Sequence, residues 1–206
     1  IEPIFDDPEV DGVVIATPAA SHYSLAKAAL SCDKHVFVEK PLAMTTAEAE
    51  ELAQLAMTKQ RILFAGHTFL YNPAVRYLKK LVDQRDLGDI YYITCQRLNL
   101  GQVRNDVNAW WNLAPHDVSI LLYLMNGELP LSIAVQGMDY LQEGTEDVVF
   151  ATLTWANRVT AHIHVSWLDP GKVRRMTIVG SRKMVLYDDV SDDKITIYDK
   201  GFDRVP

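Results

Sequence analysis

The first third of the chain alternates two apolar patterns. Residues 12–17 (GVVIAT) form a short, continuous, β-branched run closed by Pro18. Such a run suits a parallel strand buried on both faces. Residues 21–32 (SHYSLAKAALSC) follow, with Leu25, Ala28, Ala29 and Cys32 at helical spacing. HVFVEK, from His35, is a second strand-like run. TTAEAEELAQLAMTKQ, from Thr45, reads as a helix: Thr45 and Glu48 have capping-box spacing, and Leu52, Leu55 and Ala56 form the apolar stripe. RILFAGHT, from Arg61, closes the series as a third strand. Strand, helix, strand, helix, strand is the order of a doubly wound parallel sheet.

The pattern then changes. NPAVRYLKKLVDQRDLG predicts a helix with Asn72 as cap, Pro73 at the first helical position and Gly88 past the end. IYYITCQRLNL is a long strand. WWNLAPHDVSILLYLMNG predicts a helix beginning after Pro115, with Val118, Leu121, Leu122 and Met125 repeating and Gly127 as the stop. The rest is nearly all β: LSIAVQGMDY, EDVVFATLTW, RVTAHIHVSWL, RRMTIVG, KMVLYDD and KITIYDK. Consecutive strands joined by short polar turns predict a meandering, largely antiparallel sheet. The expected class is therefore α/β. A partial doubly wound (Rossmann) parallel sheet over residues 1–66 is followed by an α+β domain over 67–206 with a large, mostly antiparallel open sheet.

Composition narrows the function. Hydrophobic residues make up 49% and charged residues 23% of 206, which allows a packed core. The net charge of −7 argues against nucleic-acid binding, which needs cations to displace counterions from phosphates. The short basic cluster Lys172, Arg174 and Arg175 fits a solvated strand edge or a local anion contact. Cys32 and Cys95 have no local spacing pattern, which fits a reducing compartment without a disulfide framework. No apolar run has the length of a bilayer span and no signal peptide opens the chain, so a cytoplasmic location is the default expectation. The chain starts at Ile1 and goes straight into EPIFDDPEVDGVVIATP, which reads as the inside of a domain.

Ligands of open parallel sheets bind beyond the carboxyl ends of the strands. Thr17-Pro18, Glu39-Lys40-Pro41 and Gly66-His67 all fall at such ends. Thr17, Lys40 and His67 are thus expected at one rim. Lys40 is the strongest candidate, because an ammonium at the mouth of a cleft can polarise a hydroxyl or donate to an oxyanion. Pro41 fixes the turn, and an X-Pro bond can be cis. Read alone, the three residues also fit a solvated strand end with an ordinary turn proline. His116 follows Pro115 at the expected start of a helix, where the dipole disfavours the charged ring and helps it act as a base. A surface histidine in a first turn is the alternative. His162 and His164 alternate on one strand face, but two local ligands fall short of a zinc site, so no metal is expected. Trp110 and Trp111 fit a ligand wall or, more simply, core packing. The ten glycines contain no G-x-G-x-x-G, so this chain carries no pyrophosphate-cradling turn.

DGVVIATPAASHYSLAKAAL followed by HVFVEKPLAMT resembles the Gfo/Idh/MocA oxidoreductases, the group that includes glucose-fructose oxidoreductase and inositol dehydrogenase. The TP…H and EKP elements at this spacing are specific to that family. The resemblance spans essentially the whole chain. GHTFLYNPAV, RLNLG, WWNLAPHDVSILLYL and SWLDPGKVRRMTIVGSRKMVLYDD look like members acting on nucleotide-activated or related sugars.

The resemblance implies an N-terminal Rossmann domain binding NAD or NADP and a C-terminal α/β domain with a large open sheet. It places the glycine-rich turn, and the residue that reads the ribose 2′ position, upstream of Ile1. The sequence then looks like a fragment that also stops short of the family's usual C-terminus. By the same resemblance Lys40 matches the lysine that contacts the substrate hydroxyl and the nicotinamide ribose region, and His116 the acid/base histidine. Thr17, Pro18, His22 and Glu39 match positions lining the nicotinamide half of the cofactor site, with Lys40 and Pro41 in the same turn. Tyr71 and Arg97 match positions facing the sugar pocket. The family commonly has Asp four residues before the histidine; here that position is Asn112, which keeps hydrogen bonding but cannot accept a proton. The implied activity is hydride transfer between the nicotinamide and a secondary hydroxyl or ketone of a sugar or nucleotide-sugar. His116, Lys40 and Asn112 would be the catalytic set. The alternative is a non-catalytic sugar-binding or assembly protein on the same fold. A homo-oligomer through the C-terminal sheet is expected.

Overall fold

A computed structural model describes residues 2–101, 103–104 and 106–202 of the chain. Two compact units emerge, Ile1–His67 and Thr68–Pro206.

The first unit runs α1 (Glu2–Phe5), β1 (Gly12–Ile15), α2 (His22–Ser31), β2 (His35–Val38), α3 (Thr46–Lys59) and β3 (Leu63–Ala65). Its three strands are parallel in the order β1-β2-β3. Ile15 pairs with Val38 and Val36 with Leu63, so one sheet face presents Ile15, Val36 and Val38 to Ala29, Leu30, Leu52 and Ala56 of α2 and α3. The capping box of α3 forms as its spacing requires. Thr45 Oγ1 accepts the Glu48 N–H, and the Glu48 carboxylate accepts the N–H groups of Met44 and Thr45. β1 departs from the expectation of a strand buried on both faces, for Val14 is 74% exposed. The reason is its place at the sheet edge, with Val14 on the face opposite the packed helices.

The second unit contains α4 (Pro73–Asp83), β4 (Ile90–Leu98), α5 (Ala109–Leu124) and six further strands: β5 (Ser132–Met138), β6 (Val148–Thr154), β7 (Thr160–Ser166), β8 (Val173–Gly180), β9 (Met184–Asp188) and β10 (Ile195–Tyr198). Asn72 caps α4 as expected, its Oδ1 accepting the Ala74 N–H, and Val75, Leu78 and Leu81 form the buried stripe. The seven strands are ordered β10-β9-β8-β4-β7-β6-β5. The sheet is mostly antiparallel but is not one meander. β4 lies between β7, which it pairs in parallel, and β8, which it pairs antiparallel. Alternation along β4, β6, β7, β8 and β9 puts Ile93, Ala151, Ile163, Met176 and Val185 into one core with Ile120, Leu121 and Leu124 of α5.

The start of α5 corrects the sequence expectation. The helix begins at Ala109, six residues before Pro115, which lies inside it. Asn108 Oδ1 accepts the Trp111 N–H, while its Nδ2–H donates to Glu146 and the Ala109 N–H to the Glu146 carbonyl. These contacts fix a start that periodicity could not show. Pro115 has no N–H to give to the Trp111 carbonyl one turn back, a loss the buried helix tolerates.

Candidate functional site

In the first unit the carboxyl ends of the parallel strands carry Thr17-Pro18, Glu39-Lys40-Pro41 and Gly66-His67. The rim is tied together by its backbone. The Glu39 N–H donates to the Ile15 carbonyl and the Gly66 N–H to the Val38 carbonyl. A Cβ on Gly66 would lie 3.2 Å from Glu39 Oε2 and 3.3 Å from Glu39 Cα, so a side chain there would crowd Glu39. The Lys40–Pro41 bond is cis. Thr17 and Pro18 are exposed, and Thr17 Oγ1 shares a hydrogen bond with Ser21 Oγ at 2.6 Å.

His22 does not face this rim as a ligand contact. It is 1% exposed, and its ring nitrogens lie 2.7 Å from the Pro41 carbonyl oxygen and 2.8 Å from that of Thr17. Both polar atoms of the ring are spent on the backbone. His67 shows the opposite. Its Nδ1 is buried and makes no hydrogen bond among the described residues. Burial, with the Lys40 ammonium second, holds its imidazole below the ordinary histidine value. A neutral imidazole, an ammonium and a hydroxyl are thus supplied by the ends of the three strands.

In the second unit Asn112 and His116 lie one turn apart on α5 and share a helix face. His116 sits mid-helix, so the dipole of a first turn, on which its expected role as a base rested, does not act on it. Its ring packs instead on Phe69 with centroids 5.0 Å apart. The Arg97 guanidinium lies over the ring of Phe69 as well, 4.8 Å from its centroid. Asn112 Oδ1 accepts the Trp167 Nε1–H at 3.3 Å.

Arg97 is 4% exposed, and its Nε and one terminal nitrogen each donate to Asp117 at 3.0 Å. Burial works against both charges of this pair. It pushes the Asp117 carboxyl up, whereas for Arg97 the neighbouring carboxylate outweighs it and strengthens the cation. Two parallel N–H donors fit a carboxylate, and the geometry defines the pair as ionic. Around it, the Tyr187 hydroxyl donates to Asp189 at 2.9 Å, the Asn72 amide donates to Tyr187 at 3.4 Å, and Arg174 lies 3.6 Å from Asp189. The guanidinium of Arg97 is therefore committed to Asp117, which argues for an indirect part in any sugar pocket. Tyr71 is exposed, with Arg76 over its ring.

Sequence reasoning missed Phe69, Asp117 as the partner of Arg97, and Trp167. Only the position of Asp117 next to His116 could have pointed to one of them. Two members of the basic cluster form cross-strand pairs, Arg174 with Asp189 and Arg175 with Asp188. On β7, His162 shares a hydrogen bond with Thr152 and His164 stacks on Phe150. Among the described residues no three His, Cys, Asp or Glu side chains gather as a metal site, and no helix is long and apolar enough to cross a membrane. Cys32 and Cys95 are free thiols.

Residues 1–67 match an oxidoreductase family described by its NAD-binding Rossmann fold. The chain is 29% identical over 199 residues to UDP-N-acetylglucosamine 3-dehydrogenase from Acidithiobacillus ferrooxidans, covering 96% of this chain and 61% of that protein. It is 33% identical over 192 residues to the uncharacterized oxidoreductase YdgJ of Escherichia coli, covering 87% and 54%. A solved inositol dehydrogenase homolog from Azotobacter vinelandii, complexed with NADH and myo-inositol, shares the fold with a TM-score of 0.90 at 18% identity, covering 98% of this chain and 57% of that one. The chain thus spans little more than half the length of these relatives. Residues 75–186, more than half of the chain, match the GFO/IDH/MocA C-terminal domain, and the chain belongs to the Gfo/Idh/MocA oxidoreductase family.

Proposed function

We propose that the protein carrying this chain is an NAD(P)-dependent oxidoreductase that transfers a hydride between nicotinamide and a secondary hydroxyl or ketone of a sugar or nucleotide-sugar. The observation that carries the reading is the rim of the parallel sheet, where Lys40 follows β2 and His67 is held neutral after β3. A hydroxyl, an ammonium and a neutral imidazole form a polar set suited to the ribose hydroxyls and amide oxygen of a nicotinamide riboside. Thr17, Pro18, Glu39, Lys40 and Pro41 would hold that half of the dinucleotide. No glycine-rich turn in these residues would hold the diphosphate.

The bound dinucleotide supplies the hydride acceptor. Lys40 donates an N–H to the substrate hydroxyl oxygen and stabilises negative charge as it develops there. His116 takes the hydroxyl proton. Asn112, one turn earlier on the same face of α5, orients the sugar through its amide and moves no proton. The exposed Tyr71 hydroxyl offers a further contact to sugar oxygens, while Arg97 acts through Asp117 and Phe69. A second copy of this chain is the proposed occupant of the open face of the large sheet, where Tyr92 and Phe150 are exposed. Light scattering that shows only monomer at high concentration would count against it.

The test is NADH formation with UDP-N-acetylglucosamine and with myo-inositol. Turnover is expected with one of them, and Lys40→Ala and His116→Ala should each lower it by roughly a hundredfold or more. Full rate in both variants would remove these roles. A sugar-dependent change in the fluorescence of Trp110 and Trp111, with no turnover and no effect of NAD(H), would replace the reading by a non-catalytic sugar-binding protein.

A further inference from the structure

We propose that His22 is a positioning residue for Lys40: its buried ring staples the turn after β1 to the turn after β2 through the Thr17 and Pro41 carbonyl oxygens. The inference rests on the role proposed for Lys40.

His22 is the first residue of α2, and the body of that helix fixes its ring in space. Ala26, Ala29 and Leu30 of the same helix are fully buried in the core of the first unit. From this anchor the imidazole reaches two backbone segments that belong to different strands. One nitrogen lies 2.8 Å from the carbonyl of Thr17, the other 2.7 Å from the carbonyl of Pro41, the residue after Lys40. At 1% exposure neither nitrogen is left to meet a ligand. A ring protonated on both nitrogens donates to both carbonyls, and a neutral ring donates to one of them and ties that turn to α2, which the chain itself joins to the turn after β1. At least one N–H donates in either form.

The turn that carries Lys40 is held at its start by the Glu39 N–H on Ile15, and at its end by the Met44 and Thr45 N–H groups on Glu48. Between those ties His22 fixes Pro41. Its loss would let the Lys40 ammonium drift relative to Thr17, and a misplacement of about 1 Å costs a reaction on the order of a hundredfold. The ring touches no reacting atom, so its effect should fall on turnover more than on the KM for the sugar, while the KM for the dinucleotide, held by Thr17 and Pro41, should rise with it.

The experiment compares His22→Ala, His22→Gln and Lys40→Ala in the full protein, by turnover of whichever of UDP-N-acetylglucosamine and myo-inositol supports NADH formation and by amide hydrogen exchange. His22→Ala should speed exchange over residues 39–45 while leaving α4 and α5 unchanged. It should lower kcat by about tenfold or more and shift the KM for the sugar by less than about threefold. Free imidazole, filling the vacated space, should restore part of kcat in His22→Ala and none in Lys40→Ala. His22→Gln, which keeps one N–H donor in a larger side chain, should lie between wild type and His22→Ala and serves if the alanine variant fails to fold. Unchanged exchange over 39–45 in either variant overturns the staple. Faster exchange with Lys40→Ala at full rate upholds the staple and overturns the role of Lys40 alone.

Discussion

Arg97 of β4 and Asp117 of α5 meet through two parallel hydrogen bonds of 3.0 Å, with both side chains almost wholly buried. The pair binds the central strand of the large sheet to the helix that carries His116. Removing one partner leaves a buried charge without compensation, which typically costs about 3–5 kcal/mol. Arg97→Met and Asp117→Leu should each lower the stability of the second unit by about that amount in urea unfolding. The double variant should recover much of the loss, because the uncompensated charge is gone. A double variant no better than the worse single one would show that packing, not charge, sets the cost.

Low pH should weaken the first unit through His67. Its folded value is depressed by burial and by Lys40, so the unfolded chain binds a proton first as pH falls. The stability His67 contributes is full above the unfolded value, about 6.5, and is lost as pH falls from there through the folded value. His164, depressed chiefly by burial, adds a loss of the same sign in the second unit. Tm measured from about pH 7.5 to about pH 5 should decline, and His67→Gln should flatten the decline. A slope unaltered by that variant would assign the loss to other groups.

Asn112 holds the indole of the buried Trp167 through its amide oxygen. Asn112→Ala leaves that N–H unsatisfied and should destabilise by roughly 1–3 kcal/mol. Asn112→Asp keeps an acceptor oxygen at the same place and should leave urea stability near wild type. If a carboxylate beside His116 aids proton removal, the aspartate variant should also raise kcat. Equal kcat would place Asn112 as an orienting group alone.

The capping box of α3 is a local device and should behave as one. Thr45→Ala removes the acceptor for the Glu48 N–H and should cost about 1 kcal/mol. Glu48→Ala releases the N–H groups of both Met44 and Thr45, next to the Lys40 turn. It should therefore speed amide exchange at those two residues more than Thr45→Ala does.

The parts of this molecule legible in the sequence are those whose causes are local. Thr45 with Glu48, Asn72 with Pro73, and the β-branched runs of β1 and β2 carry their own geometry, and the placing of Thr17, Lys40 and His67 at strand ends followed from them. The misreadings arose where the cause lies far along the chain. Pro115 looked like a helix start because Glu146, which braces Asn108 and Ala109, is more than thirty residues away. His22 was legible as part of a motif, but its work is set by the carbonyl of Pro41 nineteen positions on. The engagement of Arg97 by Asp117 needed the packing of α5 on the sheet. No pattern within β4 could say which strands would flank it.

The place of β4 between β7 and β8 governs how the second unit assembles. β5, β6 and β7 form one antiparallel ribbon and β8, β9 and β10 another, each joined by chain-adjacent pairings. Among the described residues the two ribbons share no direct ladder and are bridged by β4, which reaches residues 160–166 on one side and 173–180 on the other. Each ribbon can form from nearby residues, but the seam between them closes only when a strand from some seventy residues earlier is inserted. Closing so long a loop before its contacts reward it makes this step slow. A proline at Thr94 would remove one N–H from the strand that bridges the ribbons and should weaken the seam on the side which that N–H faces.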